Sequence, residues 1–316
     1  MTDTNYRETY PADMGKLRAW FHLSRLPFHT VGILPFVLGN LLVWRTIGSL
    51  NLAVMGWGIL AVAFTLFATH YSGEYFDYEV DKLSTKLRRN RFTGGSQVLQ
   101  AGTIPRRHAL VAAFISLILA GAVGVLLQFY YNTGILTIPL GVIGMLGGLL
   151  YVMKPIRWAY RGFGETCIGF YYGWLTIATS YYIQTGQFPY LVHWTALPIA
   201  FSIFNVILVN EFPDYLADRE AGKRNLVVRF GKKRMSRIYV LMSVAIWLSF
   251  ILSIRAGIPS MSLLFFFPIF LLSVATTLQV FRKGYEDEKK LEKICASTLI
   301  VNLGTTVSLI LGVWLS

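Results

Sequence analysis

Glu74-Tyr75-Phe76-Asp77-Tyr78-Glu79-Val80-Asp81 closes a long apolar run. Starting 137 positions later, Glu211-Phe212-Pro213-Asp214-Tyr215-Leu216-Ala217-Asp218 closes another with the same E-x-x-D-x-x-x-D spacing. On a helix, the three acids of each copy fall within an arc of about 60°. Glu79 and Glu220 point the other way. Three carboxylates on one face repel one another unless a cation sits among them. Two such faces are suited to holding Mg²⁺ ions and, through them, a diphosphate.

The runs that lead into these motifs belong to a strongly apolar chain. Hydrophobic residues make up 54% of it and charged residues 14%, against about 25% charged in a soluble domain. Nine runs are long enough to read as spans: 28–47, 51–72, 109–128, 135–153, 163–183, 191–211, 236–255, 260–281 and 294–315. The expected fold is an all-α polytopic membrane protein with nine transmembrane helices and two pseudo-repeated acidic-motif halves around one cavity. It reads as a single membrane-embedded domain over 1–316, in which 1–27 form a cytoplasmic tail and interfacial segment. The first 25 residues are polar and mixed in charge, without the pattern of a cleavable signal peptide. Cys167 and Cys295 both fall in expected spans and imply no disulfide framework.

The charges partition sharply between the connections. Of 29 Lys and Arg residues, only Arg45 and Arg255 lie near one side, and none of the sixteen acids does. The positive-inside rule therefore places the N-terminus and the charged loops in the cytoplasm, with the C-terminus outside. The motif helices are the second and sixth spans, with three between them, so both run in the same direction and both motifs end at the same surface, as in a parallel repeat. The net charge of +13 is accounted for by these loops. No basic face interleaved with aromatics on a soluble domain is present, and nucleic acid is not an expected partner.

Glu74, Asp77, Asp81, Glu211, Asp214 and Asp218 are hard oxygen ligands, with Asn210 a further one. Such a set favours Mg²⁺ over zinc, and Mg²⁺ is commonly completed by substrate phosphates. The loops that follow are basic. Lys82, Lys86, Arg88, Arg89 and Arg91 precede Thr93-Gly94-Gly95-Ser96, and Arg219, Lys223, Arg224 and Arg229 follow the second motif. These bases balance phosphate charge, or set topology and touch anionic lipid headgroups. Gly94-Gly95-Ser96 offers backbone N–H groups to phosphate, or is simply a turn. A diphosphate held beside lipid points to a polyprenyl diphosphate, whose departure leaves an allylic cation. Tyr71, Tyr75, Phe76, Tyr171 and Tyr172 are candidates to face that cation, although aromatics also populate membrane interfaces. His70, one turn before Glu74, either lines the site or satisfies a local hydrogen bond.

Asn210-Glu211-Phe212-Pro213-Asp214-Tyr215-Leu216-Ala217-Asp218, running on through Gly222 to Asn225-Leu226, resembles the second hallmark motif of the UbiA superfamily of intramembrane prenyltransferases. Asn225 stands where that family usually has threonine. The first copy resembles the other hallmark, N-[DE]-x-x-D-x-x-x-D, with Gly73 in place of asparagine. Arg25-Leu26-Pro27 belongs to the same resemblance. It implies Mg²⁺-dependent transfer of a polyprenyl group to an aromatic acceptor, with pyrophosphate release and ring deprotonation. Asp77, Asp81, Asp214 and Asp218 are then the catalytic acids, and Arg25, Lys82, Lys154, Arg161 and Lys223 the candidate substrate-binding bases.

Glu74-Tyr75-Phe76-Asp77-Tyr78, Thr93-Gly94-Gly95-Ser96-Gln97-Val98 and Tyr160-Arg161-Gly162-Phe163-Gly164-Glu165 resemble the branch that acts on 1,4-dihydroxy-2-naphthoate in menaquinone synthesis. The 4-hydroxybenzoate branch has Y-x-x-x-K, whereas Tyr151 and Lys154 are one residue closer. Arg161 is a candidate for diphosphate or an acceptor carboxylate, with pairing to Glu165 as the local alternative. From a different class, a cation-coupled transporter also uses intramembrane acids, but its sites usually lie near the midplane. A noncatalytic scaffold has no need of two matching three-acid faces.

Overall fold

The computed structural model describes residues 15–87, 92 and 94–316, and among these there is no strand. Helices follow from the medium. Peptide groups cannot be left unpaired in hydrocarbon, and a helix satisfies them within one segment.

α1 (Lys16–Leu23) is short and amphipathic, burying Ala19 and Leu23 while Leu17 and Phe21 stay exposed. A 3₁₀ turn over Leu26–His29 leads into α2 (Thr30–Ile47). α3 (Leu52–Phe76) starts at Asn51, whose side chain accepts from the N–H groups of Ala53 and Val54. After the single residue Asp77 comes α4 (Tyr78–Leu87). α5 (Arg106–Val125) runs into a π turn at Leu126–Tyr130, and α6 (Thr137–Val152) follows. α7 (Gly164–Ile168), a π turn at Gly169–Leu175 and α8 (Thr176–Thr185) form one interrupted rod. α9 (Tyr190–Glu220) is the longest helix described. After it come α10 (Leu226–Phe230), α11 (Lys232–Arg255), α12 (Met261–Phe281) and α13 (Glu288–Trp314).

Among the described residues, seven helices are long and apolar enough to cross a membrane. Nine spans were expected. The other two runs are α6, which has 16 residues, and the rod broken by its π turn. A straight crossing takes about 20 residues, so neither meets that length as an unbroken α-helix.

α3 lies along α5 and α6. α9 lies along α11, α13 and the Gly169–Leu175 turn. α2 packs on both α8 and α13. Small residues allow these approaches: a Cβ on Gly39 of α2 would meet the Ile177 carbonyl oxygen of α8 at 2.7 Å. Amides then tie the helices across. Asn40 donates to Ser180 Oγ at 2.6 Å, Asn205 to the Tyr239 carbonyl at 3.1 Å, and Asn302 to Ser202 Oγ at 2.8 Å. Such bonds in a bilayer contribute about 0.6–2 kcal/mol each, and the last two fix α9, which carries the second motif.

The two motifs are built differently. The first was expected on one helix, but α3 stops at Phe76 and Asp77 takes φ −90, ψ 6. The polar residues that follow suit the membrane surface rather than its interior, so the chain bends there. The second motif stays inside α9 despite Pro213, which has no N–H to donate. The Val209 carbonyl left without that bond accepts from Cys295 Sγ of α13 at 3.8 Å.

Candidate active site

One cavity of about 260 Å³ is lined by residues of both motifs: Glu74, Asp77 and Asp81 from the first, and Asn210, Glu211, Asp214 and Asp218 from the second. Arg25 and Lys223 line it as well. The α3–α4 bend and the C-terminal third of α9 bring these groups together at one end of the helices.

Each motif is clasped by its own following loop. Glu74 is buried, and its two carboxylate oxygens accept from the Ser96 N–H and Oγ, both at 2.7 Å. This N–H, expected to be free for phosphate, is therefore already engaged. Gly95, at φ +65, lies so close to Asp81 that a Cβ would strike its carboxylate. Asp218 pairs with Lys223 Nζ at 3.3 Å and accepts from Asn225 Nδ2 at 2.7 Å. Asn225 also caps α10, its Oδ1 accepting from the Val228 N–H at 2.8 Å.

Each motif is also tied to the other half of the chain. Tyr160 OH donates to Asp77 Oδ1 at 2.6 Å, and Ser84 Oγ donates to Asp214 Oδ1 at 2.5 Å. The Arg224 N–H donates to the Tyr160 carbonyl at 3.1 Å, and the Leu226 N–H to Glu165 Oε1 at 2.8 Å. These contacts lock the segment after α6 to the loop after α9. Tyr160, Ser84, Glu165 and Asn225 were not assigned these roles from the sequence. Only the Y-R-G-x-G-E resemblance drew attention to Tyr160 and Glu165.

The electrostatics follow from crowding. Burial, followed by the charges of Glu74 and Asp77, raises the Asp81 carboxyl well above the ordinary carboxylate range. At Lys223, burial lowers the ammonium, but Asp218 and Asp77 outweigh it and the group lies well above its usual value. Tyr160 is raised by burial and by Asp77. A cation among the acids would relieve this repulsion.

Among the described residues, no three His, Cys, Asp or Glu side chains form a cluster able to grip a bare ion. The donors nevertheless fit a hydrated Mg²⁺, which keeps waters and is completed by phosphate oxygens. Asn210 Oδ1 and Glu211 Oε2 are buried without hydrogen-bond partners, and both residues line the cavity. Oxygen ligands left without donors in a negatively charged cavity are suited to a cation.

Several candidates lie elsewhere. Lys82, Lys154 and Arg161 are exposed and do not line the cavity. Arg161 donates to the Pro155 carbonyl at 2.7 Å, while Glu165 is fully buried, so the two do not pair. Tyr71 packs on Trp20 and Phe67, and Tyr75 lies under Arg106 and against Phe76. None of Tyr71, Tyr75 and Phe76 reaches the cavity. Arg88, Arg89, Arg91, Thr93 and the Lys86 side chain are outside the described residues.

A second, apolar cavity of about 350 Å³ lies between α3, α5, α6 and the Gly169–Leu175 turn. It shares Thr69, Tyr151, Ile168 and Tyr172 with the acidic cavity. Of the aromatic candidates, Tyr171 and Tyr172 are therefore the ones the fold places at a cavity wall.

A model of the UbiA prenyltransferase family matches residues 33–302. The chain is 24% identical over 322 residues to a 1,4-dihydroxy-2-naphthoate octaprenyltransferase of Bacillus subtilis, covering 100% of this chain and 98% of that relative. It is 23% identical over 233 residues to a 2-carboxy-1,4-naphthoquinone phytyltransferase of Synechocystis sp., covering 73% and 72%. The solved structure of a UbiA homolog from Archaeoglobus fulgidus, bound to GPP and Mg²⁺, shares the fold. Its TM-score is 0.67 at 16% identity, over 94% of this chain and 99% of that one.

Proposed function

Because the chain belongs to the UbiA prenyltransferase family, we propose that it transfers a polyprenyl group from polyprenyl diphosphate to 1,4-dihydroxy-2-naphthoate, a step of menaquinone synthesis. The observation that carries this reading is the single cavity lined by both acidic motifs and two bases, joined to an apolar cavity. The bicyclic acceptor is supported by the names of the two relatives and by the resemblance of Thr93 to Val98 and Tyr160 to Glu165 to the naphthoate branch.

Asp77, Asp81, Asp214 and Asp218 are the central acids, with Glu74, Asn210 and Glu211 completing the set that would hold Mg²⁺. When bound, Mg²⁺ neutralises the diphosphate and stabilises the charge that develops on it as it leaves. Lys223 and Arg25 answer the remaining phosphate charge. Tyr160 and Ser84 hold Asp77 and Asp214 in place. The prenyl chain leaves the acidic end past Thr69, Tyr151, Ile168 and Tyr172 into the apolar cavity, where Tyr171 and Tyr172 face the cationic carbon. The chain acts as one membrane-embedded domain with nine crossings, in which α6 and the α7–α8 rod are the two short members. The motif helices α3 and α9 are second in each of two parallel halves. The N-terminus and both motifs face the cytoplasm, and α1 lies at the lipid interface through Leu17 and Phe21.

The test is an assay of purified protein with Mg²⁺, a series of prenyl diphosphates, and 1,4-dihydroxy-2-naphthoate or 4-hydroxybenzoate, with products identified by mass spectrometry. Prenylated naphthoate as the dominant product is the expected result. A preference for 4-hydroxybenzoate under matched conditions overturns the acceptor, and the absence of Mg²⁺-dependent transfer to any aromatic overturns the reaction.

A further inference from the structure

His70 lies one helical turn before Glu74 on α3 and lines the acidic cavity. Its Nε2 is buried and has no hydrogen-bond partner among the described residues. Leaving a ring nitrogen buried and unpaired is costly, and such an atom in a ligand cavity calls for a partner.

The imidazole is not loosely placed. It stacks on His29 with ring centroids 5.3 Å apart and planes 19° apart. His29 is itself anchored, its Nε2 lying 3.0 Å from the Ser24 carbonyl oxygen and its ring 4.6 Å from that of Phe67. A fixed ring backs His70 from behind.

Depth along α3 identifies the ligand. A helix rises about 1.5 Å per residue, so His70 lies about 6 Å beyond Glu74 and about 10 Å beyond Asp77, toward the bilayer interior. The diphosphate belongs among the acids, and the first prenyl carbon lies inward of it, toward Thr69 and Tyr172. The ring that this carbon joins has to stand beside it, at the level of His70. Thr69, the adjacent residue, already donates its hydroxyl to the Thr65 carbonyl at 2.9 Å. The other unpaired oxygens of the cavity, on Asn210 and Glu211, belong to the acidic end.

We propose that His70 Nε2 accepts a hydrogen bond from a ring hydroxyl of the aromatic acceptor, making His70 a specificity-determining residue for hydroxylated rings. This rests on the aromatic prenyl transfer proposed above and adds the group that recognises the acceptor.

The experiment uses the full chain in nanodiscs under reducing conditions. Equilibrium binding of 1,4-dihydroxy-2-naphthoate and of 2-naphthoate, which lacks both hydroxyls, is measured for wild type, His70→Phe and His70→Gln. Phenylalanine keeps a ring and removes the nitrogen, while glutamine returns an acceptor near the Nε2 position. Wild type should prefer the dihydroxy ligand by about tenfold or more, a difference a single hydrogen bond can supply. His70→Phe should bind the two alike, and His70→Gln should recover most of the preference. In turnover, His70→Phe should raise the acceptor KM by about tenfold and leave the prenyl diphosphate KM unchanged. If His70→Phe does not fold, His70→Leu is read the same way. Undiminished preference in the nitrogen-free variant, an equal rise in both KM values, or no recovery in His70→Gln overturns the inference. If wild type transfers to the naphthoate while any of these holds, the inference alone fails. If wild type transfers to no aromatic, the proposed function fails and the inference with it.

Discussion

Asp77 and Asp214 are each held by a hydroxyl from the opposite half of the chain, Tyr160 in one case and Ser84 in the other. A carboxylate held this way keeps its position when no cation is bound, so the site is ordered before substrate arrives. Tyr160→Phe removes the tie at Asp77 while keeping the ring that lies beside Lys223. A hydrogen bond to a charged group contributes about 1.5–3 kcal/mol, so turnover should fall about tenfold or more. The Mg²⁺ concentration for half-maximal rate should rise, and a titration of rate against Mg²⁺ checks both. At this scale the acids of the second motif were legible because their spacing puts them on one face of α9, whereas those of the first reach the cavity across the bend at Asp77. The bases were less so: charge and the family resemblance mark Lys82, Lys154 and Arg161 as substrate-binding candidates, but neither says which way a side chain points. The roles of Tyr160, Ser84 and Asn225 were not legible because their partners come from distant segments or, for Asn225, from a turn whose path the sequence leaves open.

The elements follow from apolar length, and their departures from ideal geometry do not. The bend at Asp77 depends on how α4 meets the surface, and the π turn at Gly169–Leu175 depends on packing against α9. Neither changes the apolar pattern. The apolar cavity is equally hidden in the sequence, since it arises where glycines of α5 and α6 face one another. Gly124 and Gly141 line it, and a Cβ added at either would meet nothing within 4 Å. Gly124→Phe should therefore fill part of the cavity without straining the helix. If the prenyl tail lies there, the variant should keep its rate with a short prenyl diphosphate and lose about tenfold with a long one, since each methylene excluded costs about 0.8 kcal/mol of burial. A chain-length series of kcat/KM values checks this, and parallel loss at every length would place the tail elsewhere.

At the scale of the whole molecule, charge partition and the spacing of the two motifs describe the same arrangement: one chemical face and one shared cavity. Lys and Arg set an expected side for each loop. The convergence of the motifs was legible because they end the second and sixth apolar runs, which run in the same direction. The number of full crossings was less so, since apolar composition does not reveal that one run is short and another broken. Single cysteines at Ala101, Glu220 and Gln187, on a background without Cys167 and Cys295, test the topology. The first two should react with a membrane-impermeant reagent only from the cytoplasmic side, and Gln187→Cys only from the other. The central claim, that the two motifs make one metal and diphosphate site, is tested most directly by Mg²⁺-dependent binding of a non-reactive prenyl thiolodiphosphate. The proteins compared are wild type, Asp77→Asn, Asp214→Asn and the double variant. Residues acting as a unit give strongly non-additive losses, so each single variant should lose most of the affinity and the double variant little more. Wild-type affinity in either single variant, or losses that add in full, would contradict the shared site.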